Sequence, residues 1–503
     1  MNRLLSPIRR LILKYPKRSE RVLEILPGFV SWSLILFPVW GSFFWPIGVA
    51  YYIIAFDVYW FYRSMSMGIA ALVTHFRIKA ASSYDWMGDV NDFPGWEKVR
   101  HAIVIPNYNE PTHLLERALE SLVAQTFPSD KIIPIIACEE RAGKELFEER
   151  KRVLKDKFED KFDKLMFTLH PADIEGEVAG KSANAAWASK KFREEKEKHP
   201  EWKDEYMTIS SMDMDMVYHP NYFANLTYNF LDNPDRYRRI WQGAIVYYNN
   251  IDQIPGPMRV FNRISSIFQM ALLVRQDRLI NFSTYSMSVK LMEKVGYWDA
   301  DVIPEDYRMF FKSYFATGGE VEVEPIFLII SGDAAESHNF WGTFKNTYTQ
   351  VKRWAWGASD DAYILKNYFL DTKADFVDKT VRVFKILEDH FLWPVNWFIV
   401  TLGATLPPLL NEDFSRTIIG KTLPQIASAI LTVSMISLVA SLFVEFRARP
   451  DLRNSSLFKK IMAPLELILL PFVGLFFSAL PGLEAHTRLM LGKYIEYRVT
   501  EKV

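Results

Sequence analysis

From residue 27 to residue 56 the chain carries no charged side chain; Asp57 interrupts, and the apolar run resumes to Tyr62. A bilayer core takes about 20 helical residues. The stretch is too long for one crossing and predicts two short ones, with residues 41–46 as the turn. Trp40, Trp45, Tyr59, Trp60 and Tyr62 stand where interfacial aromatics belong. The run is too long for a cleaved signal peptide, and no small-residue cleavage site follows it. Three more apolar runs, residues 391–410, 422–444 and 461–483, are each long enough to cross, the last with Glu466 inside it.

Between these ends the pattern changes. HAIVIP at 101–106 predicts a short buried strand. Residues 111–125 predict a helix with Leu114, Leu115, Ala118, Leu119 and Leu122 on one face. Strands follow at 131–138, 165–169 and 206–210, separated by helices at 144–164 and 181–198. Strands alternating with helices predict a parallel sheet that binds its ligands at the carboxyl ends of the strands. The expected organisation is a basic segment (1–26), two transmembrane helices (27–62), an α/β domain (97–375), three transmembrane or re-entrant helices (386–483) and a tail (484–503).

Charge orients this plan. Arg3, Arg9, Arg10, Lys14, Lys17, Arg18 and Arg21 precede the first run; Arg447, Arg449, Arg453, Lys459 and Lys460 lie between the last two. Basic loops stay inside, which makes the central domain cytoplasmic and the protein a multi-pass protein of the inner membrane. Five spans put the tail outside although it holds Arg488, Lys493, Arg498 and Lys502; a re-entrant hairpin at 464–471 is the alternative. Residues 255–279 alternate apolar positions with Arg259, Arg263, Arg275 and Arg278 and predict a helix lying on the membrane surface. Asp57 and Glu466 either sit near an interface or the bundle interior, or line a path for a polar product.

Composition narrows the function. The 503 residues hold 60 Lys plus Arg and 60 Asp plus Glu, a balance that argues against a protein built to grip nucleic acid. Cys138 is the one cysteine, which excludes an intrachain disulfide and a cysteine-only zinc site.

Four places offer chemistry. GEVAGKS at 176–182 is one residue short of a phosphate-binding P-loop between its glycines. Lys181 there is either a solvated first-turn lysine or a phosphate partner at a helix N-terminus. Asp213 and Asp215 follow a buried strand, and two hard carboxylates there suit Mg²⁺ or Mn²⁺ against a diphosphate. Glu305-Asp306 precedes an amphipathic stretch and reads as a cap or as a general base. Gln350-Val351-Lys352-Arg353-Trp354 sets an arginine beside an aromatic platform, or belongs to an interfacial helix.

With IVIPNYNEP at 103–111 and GKSANAA from Gly180, these elements in this order resemble the membrane-bound family 2 glycosyltransferases, the branch with cellulose, chitin and hyaluronan synthases. The resemblance implies a glycosyltransferase A-type α/β domain, mainly parallel in its sheet, flanked by transmembrane helices. It implies Asp213 and Asp215 as metal ligands, and Asp213, Lys181, Gln350 and Arg353 at the donor diphosphate. It gives Asp306 as the catalytic base and Trp354 at the acceptor sugar. Where the family has an Asp pair at the nucleotide base, this chain has Glu139 and Glu140. The implied reaction is inverting transfer from a nucleotide-sugar, a UDP-sugar in the family's pattern, to a growing polysaccharide. A non-processive enzyme making a lipid-linked sugar or glycolipid is the alternative. A nucleotide-sensing transporter or receptor is the rival from another class. Accessory subunits are left open, and no nucleic acid partner is expected.

Overall fold

The computed structural model describes residues 2–449 and 456–496. Arg453 and the tail beyond 496, with Arg498 and Lys502, lie outside the described residues.

Eight strands form one sheet: β1 (Arg100–Pro106), β2 (Ile132–Glu139), β3 (Met166–His170), β4 (Met207–Ser211), β5 (Val217–Tyr218), β6 (Arg239–Val246), β7 (Tyr285–Ser288) and β8 (Glu322–Ser331). Their order is β3-β2-β1-β4-β7-β6-β8-β5. β3, β2, β1 and β4 run parallel. β7 is antiparallel to both β4 and β6, while β6 and β8 are parallel and β5 is antiparallel to β8.

The period of two explains the layering. In β1, Ala102 and Val104 face a core that contains Ala185, Ala188 and Phe192 of the helix Lys181–Lys196. Ile103 and Ile105 face the opposite core, with Leu114 and Leu115 of Thr112–Val123 and Leu154 and Phe158 of Lys144–Phe158. Strands covered on both faces read as continuous apolar runs, which is why β1 and β2 stood out in the sequence. The second half of the sheet lacks that signature: β7 is a four-residue strand, YSMS, and all four residues are buried.

At the N-terminal end, the helices Pro16–Phe44 and Pro46–Ser82 break at Trp45, whose φ of −148° and ψ of 57° leave helical geometry. Among the described residues three helices are long and apolar enough to cross a membrane: Pro16–Phe44, Ile418–Ala448 and Lys460–Met490. Asn396–Leu410 is apolar but shorter. The helix Leu480–Met490 runs past residue 483 into the segment expected to be tail. Asp57 is buried in Pro46–Ser82.

The stretch 255–279 departs from expectation. The helix Gly256–Leu272 is not an exposed surface helix. Met258, Val260, Asn262, Arg263, Ser266, Ile267 and Met270 are buried, and it packs against β6, Pro46–Ser82, Ile436–Ala448 and Leu470–Gly474. Its arginines pair inward: Arg263 lies 2.5 Å from Glu445 and 3.0 Å from Glu466, and Arg259 lies 2.7 Å from Glu466. Arginines that read as headgroup partners are committed to carboxylates that follow about two hundred residues later. Glu466 therefore faces the interior.

Candidate active site

The antiparallel register of β4 and β7 sets Ser211 opposite Tyr285. Extending each strand by two residues brings Asp213, beyond the end of β4, to Ser283, before the start of β7. The Ser283 hydroxyl donates to Asp213 Oδ2 at 2.6 Å, and the Asp213 N–H donates to Thr284 Oγ1 at 3.2 Å. Lys181 enters from the first turn of its helix. The preceding Gly180 has φ 151° and ψ −165°, a region essentially reserved for glycine. Lys181 Nζ lies 2.8 Å from Asp213 Oδ1 and 2.7 Å from Glu305 Oε1, and donates to the Ser283 carbonyl at 2.8 Å. Glu305 and Asp306 open the helix Glu305–Ala316, and Asp306 Oδ2 accepts from the Ser283 N–H at 2.8 Å. One lysine thus faces three carboxylates.

This crowding sets the protonation. Burial pushes Asp306 well above the usual carboxylate range, the Glu305 charge adds to it, and Lys181 opposes it. Burial would lower Lys181, yet Asp213, Glu305 and Asp306 hold it well above its ordinary value. A buried carboxylate with raised proton affinity beside a cation fits the physical profile of a general base.

Asp215 points elsewhere. Its Oδ2 accepts from the Asp333 N–H at 2.8 Å and its carbonyl from Arg117 at 3.2 Å; Arg117 in turn holds the Asp333 carboxylate at 2.7 Å. Asp215 is buried, whereas the Asp213 side chain is 31% exposed, so the first of the pair faces the open side. Among the described residues no three His, Cys, Asp or Glu side chains form a ready metal cluster.

A family model described as "Glycosyl transferase family group 2" matches residues 208–444. Over those residues the chain is similar to the family 2 glycosyltransferases. Its sheet is mixed with mostly parallel strands, in agreement with the glycosyltransferase A-like fold expected, and it lies beside helices long and apolar enough to span a membrane. Among solved structures, a mannosyltransferase, PcManGT from Pyrobaculum calidifontis in complex with GDP-Man and Mn²⁺, is 14% identical. The alignment covers 88% of this chain and 100% of that one, at a TM-score of 0.42. No curated protein matches the chain.

The remaining sequence-derived residues of the glycosyltransferase domain fall into two groups. Glu139 ends β2, buried, and pairs with Arg141, whose guanidinium lies 5.1 Å over the Tyr108 ring. Glu140 meets Lys144 at 2.8 Å and the Ala172 N–H at 3.3 Å. Buried Arg150 closes this end by donating to Asn107 Oδ1 at 2.7 Å and to the Tyr108 carbonyl at 2.6 Å. Gln350, Arg353 and Trp354 lie on the helix Phe340–Ala355, with Gln350 buried. The Trp354 ring stacks 6.1 Å from Tyr247 and 6.0 Å from Phe261. Burial raises the Tyr247 hydroxyl, the Gln269 hydrogen bond opposes this, and the charges of Asp213, Asp215 and Asp306 add to the rise. The Tyr247 hydroxyl accepts from Gln269 Nε2 at 3.2 Å.

Sequence reasoning missed Ser283 and Tyr247. It left Lys181 open between a solvated side chain and a phosphate partner; its side chain is only 13% exposed. The signal for Tyr247 was its place just beyond a buried strand. Ser283 carried no signal that spacing could reveal.

Proposed function

We propose that this chain is a membrane-embedded inverting glycosyltransferase that moves a sugar from a nucleotide-sugar donor, a UDP-sugar, to a growing polysaccharide. The observation that carries the reading is the cluster in which Lys181 faces Asp213 and Glu305 with Asp306 beside them. A direct displacement needs one base, and Asp306 is placed to be it. Asp306 takes the proton of an acceptor hydroxyl as that oxygen bonds to the anomeric carbon. The bond from that carbon to the diphosphate breaks, and the nucleoside diphosphate leaves with the electron pair. Lys181 and Arg353 supply positive charge toward the leaving group. Glu139 and Glu140, at the end of β2, face the nucleotide, and Trp354 with Tyr247 offers an apolar face to the acceptor sugar.

Asp213 would hold Mg²⁺ or Mn²⁺ as a hard oxygen donor on the open side beyond a strand end, with Asp215 behind it and turned toward the Asp333 N–H. The short protein ligand set suits a cation that completes its shell with water and phosphate oxygens. When bound, the cation would neutralise charge on the diphosphate. The apolar helices and the basic loops support a domain on the cytoplasmic side of the inner membrane.

The test is incubation of membranes containing the wild type or Asp306→Asn with a panel of radiolabelled nucleotide sugars, followed by separation of polymer from lipid products. Polymer labelled from a UDP-sugar, lost in the variant, is expected. Label confined to the lipid fraction would replace the polymer reading with the lipid-linked one, and no Asp306-dependent label from any donor would end both.

A further inference from the structure

We propose that Ser283 is a positioning residue, which aims the Asp213 carboxylate for cation binding and holds Lys181 and Asp306 at fixed stations beside it. The inference rests on the reading of Asp213 as a metal ligand given above. Each polar atom of this serine meets a different group of the cluster. Its hydroxyl donates to Asp213 Oδ2 at 2.6 Å, its N–H donates to Asp306 Oδ2 at 2.8 Å, and its carbonyl accepts from Lys181 Nζ at 2.8 Å.

The backbone makes this three-way contact possible. Ser283 has a φ of 54°, and with Tyr297 it is one of two non-glycine residues of positive φ among the described residues. That conformation is disfavoured for any side chain with a Cβ, so it persists because its surroundings impose it. Gln242 of β6 does so from both sides: its Oε1 accepts from the Phe282 N–H at 2.8 Å, and its Nε2 donates to the Thr284 carbonyl at 3.1 Å. Asn281 Nδ2 ties the same segment to the Asp306 carbonyl at 3.1 Å. A turn that needed only positive φ would be served best by glycine. A serine there adds one thing, the hydroxyl on Asp213. Hydrogen bonds that orient a ligating carboxylate typically change metal affinity by about 10–100-fold when removed.

Two substitutions separate hydroxyl from backbone. Ser283→Ala removes Oγ and keeps the Cβ; Ser283→Gly removes Oγ and relieves the positive φ, so it protects the fold. Mn²⁺ alone is titrated into purified full-length wild type and both variants, with free Mn²⁺ read by electron paramagnetic resonance. Steady-state kcat and KM for the donor are then measured at saturating Mn²⁺. The expected result is a fall in Mn²⁺ affinity of about 10–100-fold in both variants alike, with kcat at saturating Mn²⁺ changed far less. Glycine at wild-type affinity with alanine impaired would show that only backbone shape matters and would overturn the role of the hydroxyl. Wild-type affinity in both variants would overturn it too, while leaving the metal reading intact. A wild type that binds no Mn²⁺ would remove the metal reading and this inference with it.

Discussion

Removing the Lys181 charge from the acidic cluster should cost the domain measurable stability. Lys181→Met keeps much of the side-chain length and removes the charge. The Lys181 and Glu305 side chains are 13% and 7% exposed and 2.7 Å apart, so their pair is largely desolvated. Asp213, at 31%, retains more water and adds less. Removing one partner of a buried pair typically costs about 3–5 kcal/mol, because the other charge stays buried without compensation. At about 2–4 °C per kcal/mol for a domain of some 150–250 residues, the lower bound is a drop of about 6 °C. The assay is thermal unfolding of detergent-solubilised protein at one scan rate, since unfolding here need not be reversible. The double variant Lys181→Met/Glu305→Gln should regain roughly 1–2 kcal/mol, because the stranded carboxylate is gone. A solvated first-turn lysine would change stability by no more than about 0.5 kcal/mol. A single variant within about 1 °C of wild type would therefore refute the buried bridge, and a double variant no better than the single would refute its electrostatic origin.

Asp306→Asn keeps size and hydrogen-bonding reach but removes basicity; single-turnover transfer should fall by about 10²–10⁴ while donor binding by calorimetry stays near wild type, and loss of donor binding instead would move Asp306 into the nucleotide site. Buried His101 sits between Thr208 at 2.7 Å and Thr227 at 2.8 Å, and burial lowers it from 6.5 to about 3. The unfolded chain then binds the proton between those values and the folded domain does not, so stability should fall as pH drops from 6.5 toward 3, by at most about 1.4 kcal/mol per pH unit. His101→Gln should flatten that slope in acid-unfolding curves, and an unchanged slope would assign it to other groups. Cys138 is buried and its thiol is pushed up to about 11 by that burial, so iodoacetamide at pH 8 should label it only as the domain unfolds; rapid labelling of native protein would contradict the packing of β2.

What the sequence determined by itself was whatever is written locally. The apolar runs of β1 and β2 were legible because both faces are buried, and the break at Trp45 because prolines and a glycine cluster there. Asp213, Lys181 and the Glu305-Asp306 pair were legible because each sits at the end of such an element. Tertiary structure decided how they meet. β7 enters the sheet against the direction of its neighbours, and only that register brings Ser283 to Asp213 across seventy residues of sequence. No periodicity encodes a four-residue strand buried on both sides. The same limit applies to the helix Gly256–Leu272. Its arginine spacing is that of a surface helix, and it is buried because Glu445 and Glu466 arrive from the apolar helices that follow. A charge pattern states what a helix can pair with; whether the partner is water, lipid or a carboxylate depends on which distant segment the fold places against it.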